Sequence, residues 1–546
     1  MIDKARSMTD AIGRRTFLKS TLAGTAAVMA SSALQLRLAN AQDVRPLVWG
    51  STVDVSLDPH TQLNVPAFFI KVNVYDSLYE YRLKDGIPEA FPVLATQVEA
   101  SEAGAVWDVM LRDDAKFHDG SPVEAEDVAY SFQRLVGLRA GAAPIFSTFI
   151  DPDGITAVSP THVRFKLKQP YGPFIATLPL VPIVNKELVE SHAVEGDWGR
   201  KWLATNAAGS GPYQPIDGTF VPQQKLDLEW NPDYFRGWPQ EEPMKLVYMR
   251  YLAENSVQYL ALEKGEIDAT HSYVPPDQFQ RFRDAPNVTL SIEPTLRTYL
   301  IRMHNQRPPF DNLDYRKAIS YAFPYELFID KVLLGNADRN GGPIPKQLWG
   351  NPDDLEGYAF DLEKAKEHLE RARAAGAPVD REIEYVALVG LDETVQTAQL
   401  LQSQLRRLGI KMKISRLLWA NVVASTQKME TSPDIWAHWA TSYYVDPDNF
   451  VGTFYAKATH GSQRGSSWYD NPEVDAMIVK ARSLQDQAER EPLYEEISRR
   501  LVAEAVDIWI YNGKVNRGVR NRVKGYEPPG VGDGVDLRSM WVEAAG

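Results

Sequence analysis

Residues 382–414 read EIEYVALVGLDETVQTAQLLQSQLRRLGIKMKI, and this stretch decides the fold class. Its apolar beginning, 382–388, predicts a strand, and its end, 410–414, predicts another. The residues between them, 394–408, predict a helix that ends at Gly409. Two strands joined by one helix pair in parallel through a right-handed crossover, so the segment predicts an α/β fold.

A second strand–helix–strand segment lies in the first half of the chain. Residues 245–252 predict a strand, 256–264 predict a helix stopped by Gly265, and 267–269 predict the start of another strand. The sequence therefore indicates two separate α/β regions that flank the middle of the chain.

The composition limits the class of protein. The chain has 546 residues, of which 44% are hydrophobic and 24% are charged. That length is typical of a folded protein with about three to four structural units. Its 59 Lys and Arg against 72 Asp and Glu give a net charge of −13, which argues against nucleic acid as a partner. The chain has no cysteine, which excludes disulfides, thiolate metal sites and lipid attachment at an N-terminal cysteine.

The N-terminus carries a targeting signal. Residues 13–19 read GRRTFLK, a twin-arginine motif, and an apolar stretch follows it. The small residues at 39–41 predict a cleavage site, so residues 1–41 would form a twin-arginine signal peptide and Gln42 would begin the mature protein. An uncleaved membrane anchor is the alternative, although polar residues interrupt the apolar stretch.

Residues 111–128 read LRDDAKFHDGSPVEAEDV. This block resembles the central signature of the family 5 extracellular solute-binding proteins, the peptide/nickel class of ABC importer receptors. Other blocks resemble the same family in order and at its spacing: LDPH at 57–60, YDSLYE at 75–80 (expected to be a helix), GSGPY at 209–213, WNPDYF at 230–235, RKAI at 316–319, GPIP at 342–345 and DPDNF at 446–450. The resemblance spans essentially the whole mature chain.

The resemblance implies a two-lobed periplasmic binding protein of type II, with an extra domain inserted in the first lobe and a ligand cleft between the lobes. Lobe I would comprise residues 43–72, 205–297 and 518–546, the extra domain 73–204, and lobe II 298–517. Such a protein closes on a small-molecule ligand and delivers it to an ABC permease in the inner membrane. We therefore expect a monomeric periplasmic receptor that needs no cofactor and is not an enzyme.

A ligand cleft needs flat apolar walls and a few directional polar groups. The best candidate is the stretch 436–447, which reads WAHWATSYYVDP. Peptide-binding members of the family commonly place an Asp just before the DP pair to hold the ammonium group of the peptide. Here Ser442, Tyr443 or Tyr444 takes that position, depending on a one-residue gap.

A second family position also departs from the peptide-binding pattern. Peptide-binding members can place an Arg on the helix before the LG turn to hold a carboxylate, and Val395 or Gln396 stands there in this chain. Both departures favour a ligand other than a dipeptide. Aromatic rings with neutral polar groups suit an oligosaccharide or an amino-sugar conjugate, and an opine or a longer peptide remains an alternative.

Further candidate ligand contacts come from other parts of the chain. Trp419 matches a family Trp that is often near the ligand. Arg297 sits at a predicted crossing between lobes, where it would either anchor an anionic group or form a structural ion pair. Trp439 and its neighbour Trp436 would face either the cleft or the core. Asp54 lies in the first loop, where it would either contact ligand or stabilise a turn.

Two alternative functions remain open. Asp446, which is also a candidate ligand contact, forms a close acidic pair with Asp448, as an exported carbohydrate-active hydrolase would need. A nickel- or haem-binding receptor would need the scattered histidines to cluster in space. His118 is expected to stabilise a turn. The sequence contains no zinc-hydrolase, serine-hydrolase or nucleotide-binding motif, so no catalytic residue and no metal ligand is proposed.

Overall fold

The computed structural model describes residues 45–52, 56–272 and 274–543. The predicted signal peptide at 1–41 and the candidate contact Asp54 lie outside these ranges. Within them, no helix combines the length and the apolar character that crossing a bilayer requires.

Strands and helices mix along the chain. The strands are β1 (Leu47–Ser51), β2 (Tyr79–Lys84), β3 (Ile87–Pro92), β4 (Ala95–Ser101), β5 (Val106–Leu111), β6 (Ile150–Ser159), β7 (His162–Leu167), β8 (Tyr213–Pro215), β9 (Lys225–Trp230), β10 (Leu246–Tyr251), β11 (Val288–Met303), β12 (Ala337–Arg339), β13 (Ile383–Leu388), β14 (Met412–Leu417), β15 (Ile435–Thr441), β16 (Asp507–Arg520), β17 (Val523–Lys524) and β18 (Trp541–Val542). The α-helices are α1 (Ala67–Asn73), α2 (Ala125–Leu138), α3 (Ala143–Phe146), α4 (Phe174–Thr177), α5 (Lys186–Ser191), α6 (Arg200–Leu203), α7 (Asn255–Lys264), α8 (Phe279–Asp284), α9 (Leu313–Ala322), α10 (Tyr325–Leu327), α11 (Leu362–Ala374), α12 (Asp392–Arg407), α13 (Trp419–Ser425), α14 (Gly452–Tyr455), α15 (Pro472–Ser483) and α16 (Gln487–Ala503).

The segment 382–414 folds as predicted. β13 pairs in parallel with β14, from Ile383 opposite Met412 to Leu388 opposite Leu417, and α12 connects the two strands. Beyond the end of α12, Gly409 has a φ of 78°, which glycine adopts without the steric cost that a Cβ would add. The α/β fold class is confirmed.

The largest sheet, which lies mainly in the expected lobe II, has the strand order β12-β16-β11-β15-β13-β14. Tyr299 and Leu300 are neighbours on β11 and point to opposite faces, as the pleat of a strand requires. Tyr299 packs in a core with Leu401 of α12, and Leu300 packs in a second core with Ile478 of α15. Helices therefore cover both faces of this sheet.

The segments expected to form lobe I and the extra domain each have their own sheet. In lobe I the order is β1-β10-β9-β8, with β1 parallel to β10. The extra domain contains the β2–β3 hairpin and an antiparallel sheet of order β4-β5-β7-β6. Helix α2 packs on this domain through Phe132, whose ring meets Phe146 and Phe165 edge to face.

The strands β11 and β16 connect the sheets of the two lobes. They pair from Val288 opposite Arg520 to Arg302 opposite Asp507, and their register shifts between Pro294 and Thr298. The end of the pair at Val288 and Arg520 lies beside lobe I, because Ala269 forms β-bridges with both β1 and β16. The other end belongs to the lobe II sheet, so the irregular pairing lies where the chain passes between lobes.

Two local predictions are wrong. Residues 75–80 do not form a helix: α1 ends at Asn73, whose amide donates to the carbonyls of Phe69 and Val535, both at 2.9 Å. The buried carboxylate of Asp76 then accepts from two hydroxyls and holds the loop that leads into β2. Residues 267–269 do not form a full strand but contribute only the bridges at Ala269. In both cases distant partners decide the local conformation.

Candidate ligand-binding site

A pocket lies where β11 leaves lobe I and enters lobe II. The cavity volume is about 40 Å³, and about 560 Å³ of empty space lies between the walls when the open mouth is included. Segments far apart in the chain supply its walls, chiefly the β2–β3 hairpin, the C-terminal segment 529–532, β11 and the end of β15. Residues that represent these walls are Leu83, Pro88, Gly530, Thr295, Arg297, Thr441 and Ser442. A pocket with walls on separate units changes shape when those units move.

Arg297 and Ser442 are predicted contacts that the structure brings together in this pocket. Arg297 pairs with Thr441 across β11 and β15. The amide of Ser442 donates to the carbonyl of Leu296 at 3.1 Å, and its hydroxyl donates to the carbonyl of Tyr444 at 2.9 Å. The pairing of the two strands thus places Arg297 next to Thr441 and Ser442 in the wall of the pocket, a combination of a cation and hydroxyl groups that suits an acidic or polar ligand group.

Trp439 lies beside Arg297 but does not line the pocket. The guanidinium is 4.8 Å from the centroid of the Trp439 ring, a cation–π contact. The indole N–H donates to the Tyr511 hydroxyl at 3.3 Å, and that hydroxyl donates to Glu393. Burial raises the pKa of Glu393 to about 7, against the hydrogen bond from Tyr511 and the charge of Arg297. Trp439 therefore supports Arg297 from the core side of the sheet.

Trp419 lies on the opposite face of β15, at the start of α13. The Trp419 ring is stacked on the His438 ring, with centroids 5.9 Å apart and an interplanar angle of 11°. Trp419 is 47% exposed. Trp436 is buried against both rings. Burial and the nearby arginines, Arg302 first, lower the pKa of His438 well below its ordinary value, so the imidazole is neutral. Trp419 is thus an exposed ring that packs on two buried aromatic side chains, Trp436 and His438.

Tyr443 and Tyr444 have different surroundings, and neither lines the pocket. The ring of Tyr443 faces the guanidinium of Arg464, 4.5 Å away. Tyr444 is fully buried among residues of the extra domain, and its hydroxyl donates to Asp448 at 2.9 Å. Tyr444 therefore joins two parts of the protein.

Asp446 and Asp448 are both buried and paired with arginines. Arg490 donates to the two oxygens of Asp446, each at 2.8 Å, and Arg482 donates to Asp448 at 2.6 Å. Burial raises the pKa of Asp446, and the charge of Arg490 opposes that rise. A hydrolase needs such carboxylates exposed to its substrate. These two carboxylates instead hold the loop after β15 against α15 and α16.

Several residues of the pocket are not predicted by the sequence. Gln347 lies in a loop and carries no local signal, and Thr441 lies in the candidate stretch 436–447 but was not singled out there. The run PPGVG at 528–532 does carry a local signal, since glycine permits close approach of the backbone. A Cβ on Gly530 would lie 3.3 Å from Tyr81, so this segment packs tightly against the extra domain.

Residues 89–462 match the family described as bacterial extracellular solute-binding proteins, family 5. The chain belongs to this family. The match covers more than half of the sequence and includes most of the family blocks quoted above.

Known relatives agree with this assignment. The solute-binding protein is 29% identical to the probable D,D-dipeptide-binding periplasmic protein DdpA of Escherichia coli, over 88% of this chain and 91% of that protein. It is 27% identical to a dipeptide-binding protein of Escherichia coli, over 83% and 86%. The solved structure of the periplasmic binding protein DppA from Helicobacter pylori, in complex with the peptide STSA, matches with a TM-score of 0.78 at 25% identity, over 92% and 98%. The expected periplasmic-binding-protein fold is confirmed, and these relatives are named as binding proteins rather than enzymes.

Proposed function

We propose that this solute-binding protein is a monomeric periplasmic receptor of an ABC importer. It captures a small organic solute between lobe I and lobe II and delivers it, unchanged, to a permease in the inner membrane. The limits of the lobes stated above, with lobe II at 298–517, are part of this proposal. Because the ligand contacts both lobes only when they close, binding shifts the population towards the closed form.

The observation that carries the proposal is the position of Arg297 and Ser442. They line one pocket, and the hydrogen bond from Ser442 to Leu296 fixes their distance. Arg297 lies on β11, the strand that passes between the lobes, and Ser442 directly follows the last residue of β15 in lobe II. The β2–β3 hairpin and the segment 529–532 form the facing walls, so a ligand bound to Arg297 and Ser442 would also contact units outside lobe II and would sense lobe closure through them.

The chemistry of the pocket favours a ligand with an acidic group and neutral hydrogen-bonding groups. Arg297 would hold the acidic group, and Thr441, Ser442 and Gln347 would bind hydroxyl or amide groups. A dipeptide with a free ammonium group is the competing ligand, since two relatives are named for dipeptides. An ammonium in this pocket would lie near the charge of Arg297, and like charges repel. We therefore favour a non-dipeptide solute such as an acidic saccharide or an acylated peptide.

A binding panel tests this proposal. The probes are D-alanyl-D-alanine, its N-acetyl derivative, an acidic sugar, Ni²⁺ and haemin, screened by thermal shift and then by calorimetry. We expect the N-acetyl peptide or the acidic sugar to raise the melting temperature more than the free dipeptide does, because a ligand of the folded state stabilises it. Binding of the free dipeptide alone would contradict the ligand class. Binding of Ni²⁺ or haemin alone would favour the alternative receptor class.

Export through the twin-arginine route is a separate part of the proposal. It depends on residues 13–19 and on cleavage after Ala41. Changing both Arg14 and Arg15 to Lys should retain the precursor in the cytoplasm, and sequencing the exported wild-type protein should give Gln42 first. Normal export of the double variant would exclude this route without affecting the proposed ligand.

A further inference from the structure

The extra domain is joined to lobe I through buried polar contacts. Arg134 of α2 pairs with Asp58 at 2.7 and 2.9 Å, and the ring of His60 contacts the carbonyl of Pro182 at 2.8 Å. The ammonium of Lys71 donates to the carbonyl of Leu180 at 3.3 Å. Breaking buried ion pairs is strongly unfavourable, so the extra domain moves with lobe I as one unit.

The extra domain also contacts lobe II through hydrogen bonds. The hydroxyl of Tyr171 donates to Asp448 at 3.2 Å, and the amide of Gly172 donates to the carbonyl of Arg482 at 2.6 Å. The amide of Val445 donates to the hydroxyl of Tyr81 at 2.9 Å. In each bond one partner belongs to residues 73–204 and the other to residues 298–517.

Apolar packing surrounds these bonds. Tyr444 of lobe II is buried in the hydrophobic core of the extra domain. The ring of Tyr171 is stacked on that of Phe149, with the two ring centroids 4.2 Å apart, and this packing orients the Tyr171 hydroxyl towards Asp448. Asp448 is fully buried and also accepts from Arg482 and Tyr444. The contact therefore combines a shared core with satisfied polar groups, as stable interfaces do.

We propose that this contact is a latch that holds the lobes closed independently of which ligand is bound. The latch comprises Tyr81, Tyr171 and Gly172 on the extra domain, and Val445, Asp448 and Arg482 on lobe II. The chain passes between the lobes along β11 and β16 and not through the latch. The two surfaces of the latch therefore separate whenever the lobes open. It rests on the proposed lobe closure. Its stability sets the fraction of closed protein and therefore scales the affinity of every ligand by one factor.

Gly172 offers a direct way to break the latch. A Cβ at this position would collide with the carbonyl oxygen of Leu484 in lobe II. Its φ lies outside the left-handed region, so alanine fits the local backbone of the extra domain. Gly172→Ala should therefore force the two surfaces apart while leaving the fold of each unit intact.

Hydrogen exchange of the protein without added ligand tests the latch. The amides of Gly172 and Val445 donate across the contact, so their exchange reports its opening. We expect Tyr171→Phe to raise the exchange of both by about threefold to tenfold, the effect of one hydrogen bond. Gly172→Ala should raise the exchange of Val445 further and increase the radius of gyration in solution scattering. Exchange in β13 and β14 should not change.

Tyr455→Phe is the matched control. Its hydroxyl donates to Asp507 at 2.8 Å, and both residues belong to lobe II. The same hydroxyl accepts from the Trp509 indole at 3.1 Å, so this variant removes buried hydrogen bonds within lobe II and should lower stability without raising the exchange of Val445. Unchanged exchange of Val445 in Gly172→Ala would overturn the latch. Failure of the whole binding panel, with the expected exchange changes, would instead count against the proposed ligand class alone.

Discussion

Arg134 and Asp58 form a two-pronged ion pair in the interior of the protein, with both side chains fully buried. A nitrogen of the same guanidinium lies 2.9 Å from Nδ1 of His60, which must therefore accept the hydrogen bond. Burial, followed by the charge of Arg134, lowers the pKa of His60 to about 3, so this imidazole stays neutral. The cluster fixes the extra domain on lobe I.

Removing Arg134 should destabilise the protein strongly. Arg134→Met leaves the carboxylate of Asp58 buried and unpaired, which costs about 3–5 kcal/mol of unfolding free energy. Chemical denaturation measures this loss. The control is Arg164→Met, because Arg164 pairs with Asp108 at the surface and its side chain is 51% exposed. Such a pair contributes about 1 kcal/mol or less. Equal losses in the two variants would contradict the role of the buried cluster.

Asp76 should make stability depend on pH. Burial raises the pKa of its carboxyl to about 7, against the hydrogen bonds from Tyr234 and Ser210. An acid whose folded pKa is raised stabilises the fold while protonated, so this contribution is lost as pH rises from about 4 to about 7, by on the order of 4 kcal/mol.

The substitution Asp76→Asn should remove that dependence, since the amide can hydrogen-bond to both hydroxyls. The difference in unfolding free energy between variant and wild type, measured at several pH values, should favour the variant increasingly towards pH 7. Asp114→Asn is the control, because Arg112 lowers the pKa of this exposed carboxyl. Parallel stability curves for Asp76→Asn and wild type would refute the assignment.

Gly211 should not tolerate a side chain. A Cβ there would lie 2.7 Å or less from backbone atoms of residues 73–75, which cannot move aside easily. The imidazole of His118 contacts the carbonyl of Gly211 at 2.9 Å, so the turn around His118 depends on this bend just before β8. Gly211→Ala should cost about 1–3 kcal/mol of unfolding free energy. Gly513→Ala, where an added Cβ meets atoms no closer than 3.6 Å, should change it by about 0.5 kcal/mol at most.

Arg297 should control binding rather than folding. Arg297→Gln removes the cation from the pocket and should weaken an acidic probe by at least about tenfold in calorimetry, since a charge-assisted bond is lost. Arg307→Gln is the control, because Arg307 belongs to lobe II and pairs with Asp434 outside the pocket. An unchanged affinity in Arg297→Gln would remove Arg297 from the site.

Much of the fold follows from local patterns. The segment 382–414 alternates apolar strands with a helix, and Gly409 ends that helix, so both elements and their parallel pairing could be read from the chain. Arg297 and Ser442 were predicted as ligand contacts, and they line one pocket. Whether they bind ligand stays a prediction. By contrast, 75–80 was read as a helix because the buried partners of Asp76 lie more than a hundred residues away.

The sequence by itself determined the fold class, the family and the positions of most strands and helices, because these depend on periodicity, glycine positions and ordered motifs within short windows. Only the tertiary structure decided which side chains of 436–447 face the pocket, which support it and which join two domains. The reason is physical: neighbours on a strand point to opposite faces, and what covers each face comes from distant parts of the chain. In sequence, Tyr444 is a candidate ligand contact and Asp448 is one half of an acidic pair. In the structure, the extra domain buries Tyr444 and Arg482 pairs with Asp448, so both belong to the latch.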